Sequence, residues 1–383
     1  MISIGIDATN LRGGGGVTHL TELLRVASPQ EHGFRKIVVW APERTLSLIE
    51  EREWLVKRSD FLLDGSLLKR SMWQKFKLAN SIHREQCDIL FVPGGNISCD
   101  FHPVITMSRN MLPFEPMELK RYGWRWTFFR LALLRFLQSR SFSTADGLIF
   151  LTQFAHNTIK LKKNLVISGK IAIIPHGLNK RFLISPKQQK AVECYDHDRP
   201  LKVLYVSIVD VYKHQWKVIE AMANLRQETG WPLVLDLVGP AYSPALVRLK
   251  NAMEKFDSKG EWVTYHGSIH YGDLNKFYER ADIGLFASSC ENMPNILLET
   301  MAAGLPIASS NRGPMVEILE ENGRYFDPED TTEIARCLKE LIADPDLRSR
   351  LAAASFESAQ KFSWKRCADK TFLFINKVYS SGI

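Results

Sequence analysis

The chain has 383 residues, 45% of them hydrophobic and 24% charged, which fits two globular domains and excludes a disordered or low-complexity chain. Its net charge of +8 is unevenly placed: residues 1–180 hold 25 Lys and Arg against 15 Asp and Glu, and the remainder hold 25 against 27. A basic first half facing a neutral second half predicts an anionic surface or ligand for the first half, and six cysteines without a C-x-x-C pair exclude a zinc ribbon or a disulfide framework.

Met1 leads directly into Ile2–Ile6 with no charged leader, so a signal peptide is not expected. No apolar run approaches the roughly 18 residues of a spanning helix. The expectation is a cytoplasmic protein with reduced thiols, in which any membrane contact is peripheral.

In chain order, the strand-like run Ile2–Ile6 is followed by Gly13-Gly14-Gly15-Gly16 and then by the helical pattern Val17–Leu24. Glycines there let backbone approach a phosphate closely, with a helix N-terminus behind it; the alternative is a flexible loop. The run lacks the G-x-G-x-x-G spacing and the acid about 20 residues on that a dinucleotide fingerprint needs, so a dehydrogenase is disfavoured. Lys36–Trp40 reads as a second strand, Lys69–Lys77 as a basic patch around Trp73, and Ile89–Val92 as another strand. Val104–Met107 leads into Ser108-Arg109-Asn110.

Between Met117 and Phe142, six cations (Lys120, Arg121, Arg125, Arg130, Arg135, Arg140) alternate with Trp, Phe and Leu. Read as one helix at about 100° per residue, Lys120, Arg121, Arg125 and Arg135 share one face, and Leu119, Trp126, Leu133 and Leu137 another. Arg130 falls in the apolar stripe. This composition fits an interfacial helix on anionic lipid, or a core helix with a solvated cationic edge. No nucleic-acid motif accompanies the charge, so nucleic acid is not expected as a partner.

Gly147–Leu151, Val203–Val206, Leu233–Val238, Ile283–Phe286 and Pro306–Ser309 complete the strand-like runs. They are short, rich in Val, Ile and Phe, and apolar on both faces, as buried parallel strands with helices on both sides are. The fold class is α/β. The polar stretch near residues 180–200 reads as a linker between two doubly wound, Rossmann-like domains facing each other across a cleft.

The most informative segment follows Ile283–Phe286: Glu291-Asn292-Met293-Pro294-Asn295-Ile296-Leu297-Leu298-Glu299, then Gly304-Leu305-Pro306. Pro294 or Asn295 suits a helix start, and Gly304 followed by Pro306 suits its end. A helix N-terminus is thus expected at the carboxyl edge of a strand, which is an anion site. Glu291 lies in the loop before it, and Glu299 one turn in, placed to accept from two ribose hydroxyls. The bland alternative is a solvated loop acid and a helix-face acid.

Glu291–Glu299 resembles the E-x7-E signature of the family 4 retaining glycosyltransferases of bacterial surface-polysaccharide type, which adopt the GT-B fold. Tyr265-His266-Gly267, Ala281-Asp282-Ile283, Gly313, Glu317, Gly323 and Phe326-Asp327-Pro328 resemble its flanks. Ile173–Asn179 resembles the interdomain hinge, and Phe362-Ser363-Trp364 the start of a final helix. The resemblance implies an N-terminal acceptor-side domain over 1–180, a donor-binding domain over 181–363, and a helix over 364–383 returning to the first. It implies transfer of a sugar with retention from a nucleotide diphosphate sugar (UDP- or GDP-linked) to a saccharide acceptor, with no metal or other cofactor. A saccharide or polyprenyl-linked acceptor is expected, the lipid-linked form accounting for the basic half and the lack of a spanning helix. Glu299 would bind ribose, Glu291 would sit by the sugar, and Met293, Pro294 and Asn295 would lie near sugar and phosphates. Gly14, Gly15 and Gly16 would face the diphosphate, and the domains would close over the cleft with movement near Pro175–Asn179. The sequence departs from the family in two places. After Val203–Val206 the family carries an Arg and then a Lys; here Ile208 takes the Arg position and Lys213 matches the Lys. The family His beyond Val104–Met107 is missing, leaving Arg109 and Asn110 as candidates for its role. The alternative is a catalytically silent nucleotide-sugar-binding subunit.

Overall fold

A computed structural model of the protein describes residues 1–162 and 165–381. They form two compact units: Met1–Phe114, Arg125–Gly177 and Phe362–Ile383 in the first, Glu115–Trp124 and Leu178–Lys361 in the second.

The first unit is a parallel sheet of β1 (Ile2–Asp7), β2 (Phe34–Trp40), β3 (Leu55–Arg58), β4 (Ile89–Val92), β5 (Val104–Met107), β6 (Gly147–Phe150) and β7 (Lys170–Ile173). Its strand order is β3-β2-β1-β4-β5-β6-β7. The central strands β4, β5 and β6 are buried at every position, which is why they read as continuous apolar runs. Its helices include α1 (Gly15–Arg25), α2 (Trp126–Thr144) and α3 (Gln153–Lys160). The C-terminal helix Trp364–Tyr379 completes this unit, burying Trp364, Phe372, Ile375 and Val378. Its start packs so closely on Gly177 that a Cβ there would lie 2.2 Å from the Trp364 nitrogen.

The second unit repeats the plan with β8 (Leu201–Val206), β9 (Leu233–Val238), β10 (Val263–Tyr265), β11 (Ile283–Phe286), β12 (Ile307–Ser310) and β13 (Arg324–Phe326). They are ordered β10-β9-β8-β11-β12-β13 and all pairs are parallel. Helices α4 (Gln215–Thr229) and α5 (Asn295–Ala302) follow β8 and β11. In each sheet the chain starts centrally, winds to one edge, then returns to wind to the other. The strand order therefore reverses between β1 and β4, and again between β8 and β11. Crevices for ligands open at such reversals, outside the strands' carboxyl ends.

Two sequence readings change. The stretch near residues 180–200, polar enough to read as a linker, packs onto the second unit. Phe182 is fully buried, the Ile184 amide donates to the Ala302 carbonyl (3.0 Å), and the buried Arg348 guanidinium donates to Gln189 Oε1 (3.1 Å). The segment 117–142 is not one amphipathic helix. A short helix ends at Lys120, Gly123 turns the chain at φ +59°, and α2 begins only at Trp126. Lys120 and Arg121 therefore cannot share a face with Arg135, and Leu119 is buried in the second unit rather than lining a stripe with Leu133. The anchor of that short helix is internal to the second unit: Tyr122 Oη donates to Asp210 Oδ1 (3.1 Å) and Arg121 Nη2 to Glu329 Oε1 (2.6 Å).

Candidate functional site

The second unit's strand reversal gathers the acids and the cation singled out in sequence. The loop after β8 presents Lys213, and the loop after β11 presents Glu291; their side chains form an ion pair although 78 residues apart. Lys213 is only 6% exposed, with Nζ 5.1 Å from the ring centroids of both Tyr212 and Phe286. Such a buried cation has few partners to choose from, so its charge is directed at Glu291 or at an anion that joins or displaces it. The two loops are tied to each other below the pair. Ser289 donates its amide to the Tyr212 carbonyl (2.9 Å), His214 Nε2 lies 2.9 Å from Ser289 Oγ, and Tyr205 Oη donates to the Lys213 carbonyl (2.8 Å). Burial, and then Arg121, holds His214 neutral, with its pKa down at about 4.

Helix α5 begins at Asn295 behind Pro294, so its positive end points from the carboxyl edge of β11 toward this pair's loop. Met293 and Pro294 are buried and Asn295 is half-buried. Glu299 occurs one turn in, as its spacing predicts, but it is not an open acceptor. It is 3% exposed, and each carboxylate oxygen already accepts a phenol hydroxyl: Oε1 from Tyr271 (2.9 Å) and Oε2 from Tyr278 (3.2 Å). Burial pushes its carboxyl up to about 7, against the lowering by those two hydroxyls and by Arg181. The Arg181 guanidinium lies 3.9 Å from the Tyr271 ring centroid. A ribose reaching Glu299 must share these oxygens with Tyr271 or move its hydroxyl aside. Tyr271, Tyr278 and Arg181 carry no sequence signal; they come from a loop, a helix and the stretch after Gly177. Ile208, at the position of the family Arg, is 39% exposed and supplies no charge.

In the first unit, α1 starts at Gly15 with Gly14 as its N-cap, so two of the four glycines form its first turn. Arg109, from the loop after β5, reaches this turn: a Cβ on Gly16 would lie 2.9 Å from Arg109 Nη1. Its buried Nε has no hydrogen-bond partner, and burial lowers the guanidinium pKa to about 10. Asn110 turns its Oδ1 back to the Leu112 amide (3.1 Å), which fixes the start of the following turn. Beneath α1, the buried His19 ring stacks on His176 (centroids 4.8 Å, planes 18° apart), and Trp364 lies 5.6 Å from His176. Burial holds His19 neutral, well below the usual histidine range, and His176 and Arg109 add to the lowering. Among the described residues all six cysteines are free thiols.

Two parallel sheets of this order, each with its polar loops at the strand reversal, define a GT-B fold. The chain superposes over its full length on sucrose-phosphate synthase from Thermosynechococcus elongatus (TM-score 0.77, 16% identity, 100% of each chain). It does so on Anabaena Alr3699/HepE in complex with UDP-glucose as well (TM-score 0.71, 14% identity, 100% of each chain). Residues 188–358, within the second unit, match the model of the family of glycosyl transferases group 1. O-antigen chain mannosyltransferase B of Escherichia coli is 26% identical over 170 residues; the alignment spans 44% of this chain and 44% of the relative. The chain thus spans less than half the length of this curated relative.

Proposed function

We propose that the protein transfers a sugar, with retention, from a nucleotide diphosphate sugar to a saccharide acceptor carried on a lipid, in the assembly of a surface polysaccharide. The observation that carries this reading is the convergence of the Lys213–Glu291 pair, the start of α5 and Glu299 on the strand reversal of the second unit. A diphosphate at the α5 N-terminus meets the helix dipole and the Lys213 ammonium. Those charges are fixed before reaction and stabilise the leaving nucleotide diphosphate as the bond to the sugar breaks. Glu291, released from Lys213 by the incoming phosphate, is left to position the sugar, and Glu299 takes the ribose hydroxyls. Gly14, Gly15, Gly16 and Arg109 are the first unit's own phosphate contacts, and Asn110 shapes their loop. Similarity to a protein named for O-antigen mannosyl transfer, and to one crystallised with UDP-glucose, supports the substrate class and leaves both UDP- and GDP-sugars as donors.

Isothermal titration of UDP-glucose and GDP-mannose, with product analysis by anomeric NMR, tests the reading on Glu299→Ala and Lys213→Ala. Each substitution is expected to weaken the donor at least about ten-fold, since a charge-assisted contact is lost. Wild-type affinity in both sinks the assignment. The absence of a cation at Ile208 favours a second reading, a silent nucleotide-sugar-binding subunit; donor binding without turnover across saccharide acceptors selects it.

No helix among the described residues is long and apolar enough to cross a membrane. We propose peripheral recruitment through the first unit's cationic surface, as salt-sensitive co-flotation with phosphatidylglycerol vesicles. Absence of flotation at low salt defeats it.

A further inference from the structure

The first unit carries a second cationic feature, separate from the glycine turn. Helix α2 buries only Leu131, Gln138, Ser141 and Phe142. Trp126, Leu133 and Phe136 stay outside, at 79%, 58% and 64% exposure, so an apolar strip, interrupted by the exposed Arg130, runs along the helix in water. At its C-terminal half the strip opens into a pocket of about 800 Å³. One side is lined from α2 by Arg135, Phe136 and Arg140, and the other by Leu161, Lys162 and Leu165. Phe114, stacked on Phe142 at 5.8 Å, lies at its base.

Among the described residues the lining has three cations and no carboxylate, and no ion pair of Arg135, Arg140 or Lys162 occurs. Arg135 and Lys162 are half-buried, where an unpaired charge costs more than in water. A small inorganic anion would meet these charges and leave Phe136, Leu161 and Leu165 idle. A neutral hydrocarbon would cover the apolar groups and bury cations without partners. An amphiphile with a phosphate at one end satisfies both sets at once. The pocket's volume lies in the range of a small-molecule site, about 300–1,000 Å³. That suits one head and the first part of one chain, and the rest of the chain has the exposed strip of α2 to follow.

We propose that this pocket binds the phosphate end of a single-chain lipid phosphate, with Arg135, Arg140 and Lys162 on the phosphate and Phe136, Leu161 and Leu165 on the first carbons. The inference rests on the reading that the acceptor is lipid-linked, and it gives that acceptor's carrier a place. It is distinct from recruitment to a bilayer, where many headgroups act together on an open surface.

The test is calorimetric titration of the full chain with geranylgeranyl monophosphate, alongside geranylgeraniol, inorganic phosphate and phosphatidylglycerol vesicles. The monophosphate is expected to bind saturably, and both the alcohol and inorganic phosphate at least about ten-fold more weakly. The double variant R135Q/R140Q is expected to lose at least about ten-fold for the monophosphate and to keep its affinity for UDP-glucose or GDP-mannose. Equal binding of the alcohol, equal binding of inorganic phosphate, or an unchanged double variant overturns the proposal. So does a protein that floats with phosphatidylglycerol vesicles yet ignores the monophosphate. If the wild type binds the lipid phosphate but neither nucleotide sugar, the pocket stands and the transferase reading falls.

Discussion

Replacing Glu299 by glutamine removes a charge that the fold resists, in a side chain of nearly the same shape. In the folded chain the carboxyl titrates at about 7 instead of 4.5, because burial outweighs the two tyrosine hydroxyls and Arg181. That difference corresponds to roughly 3 kcal/mol between the protonated and ionised forms. The sign follows from proton binding. Between about pH 4.5 and 7 the folded state holds the proton and the unfolded state does not, so stability falls as pH rises through this window. Below it the group costs nothing, and above it the full penalty applies. Glutamine imitates the protonated acid at every pH. Glu299→Gln is therefore expected to stabilise the second unit by about 3 kcal/mol near pH 8 and hardly at all near pH 4.5. At about 2–4 °C per kcal/mol for a domain of this size, the melting temperature rises by roughly 6–12 °C at the higher pH only. Urea midpoints of wild type and variant across this range read the effect, and nucleotide-sugar titration reads its cost, a weaker donor complex. A stability difference independent of pH, or a variant less stable than wild type near pH 8, refutes the reasoning.

Lys213→Met leaves Glu291 partly buried without its cation and is expected to destabilise by about 3–5 kcal/mol. The double variant Lys213→Met/Glu291→Leu should recover most of that in urea unfolding while staying deficient in donor binding; no recovery would mean the pair is not the source. His19 works in the opposite pH direction from Glu299. Its folded pKa is depressed, so stability is lost as the unfolded state gains a proton below about pH 6.5, and His19→Phe should flatten that acid limb in thermal melts. Gly177→Ala sets a methyl group against Trp364 backbone and should cost at least about 1–3 kcal/mol, read as a lowered urea midpoint with an unchanged slope.

The strands read from sequence are the inner ones, and those missed are the sheet edges. Leu55–Arg58, Lys170–Ile173, Val263–Tyr265 and Arg324–Phe326 end the two strand orders. Half-exposed edges mix polar and apolar residues, so they give no continuous apolar run. The start of α5 was legible because Pro294, Asn295 and Gly304 each act locally on backbone. The break at Gly123 was missed because the residues on either side keep a helical period by chance of composition. The partners of Glu299 were illegible for a different reason: Tyr271 and Tyr278 meet it only through the packing of a loop and a helix, and no spacing records that. Similarly, nothing in the order of residues announces that His19 stacks on His176 or that Arg109 reaches Gly16.

The C-terminal helix bears on how the chain is made. Its residues Trp364 and Phe372 belong to the core of the unit that begins at Met1, beside His176 and Phe34. During synthesis at about 5–20 residues per second, a first domain ordinarily folds before the next one emerges. Here the first unit waits, with the seat of that helix open along α1 and Gly177, until the whole second unit has left the ribosome. Its apolar seat therefore stays without that helix for about 10–40 seconds of synthesis, and a stop codon placed before residue 362 would leave it open for good.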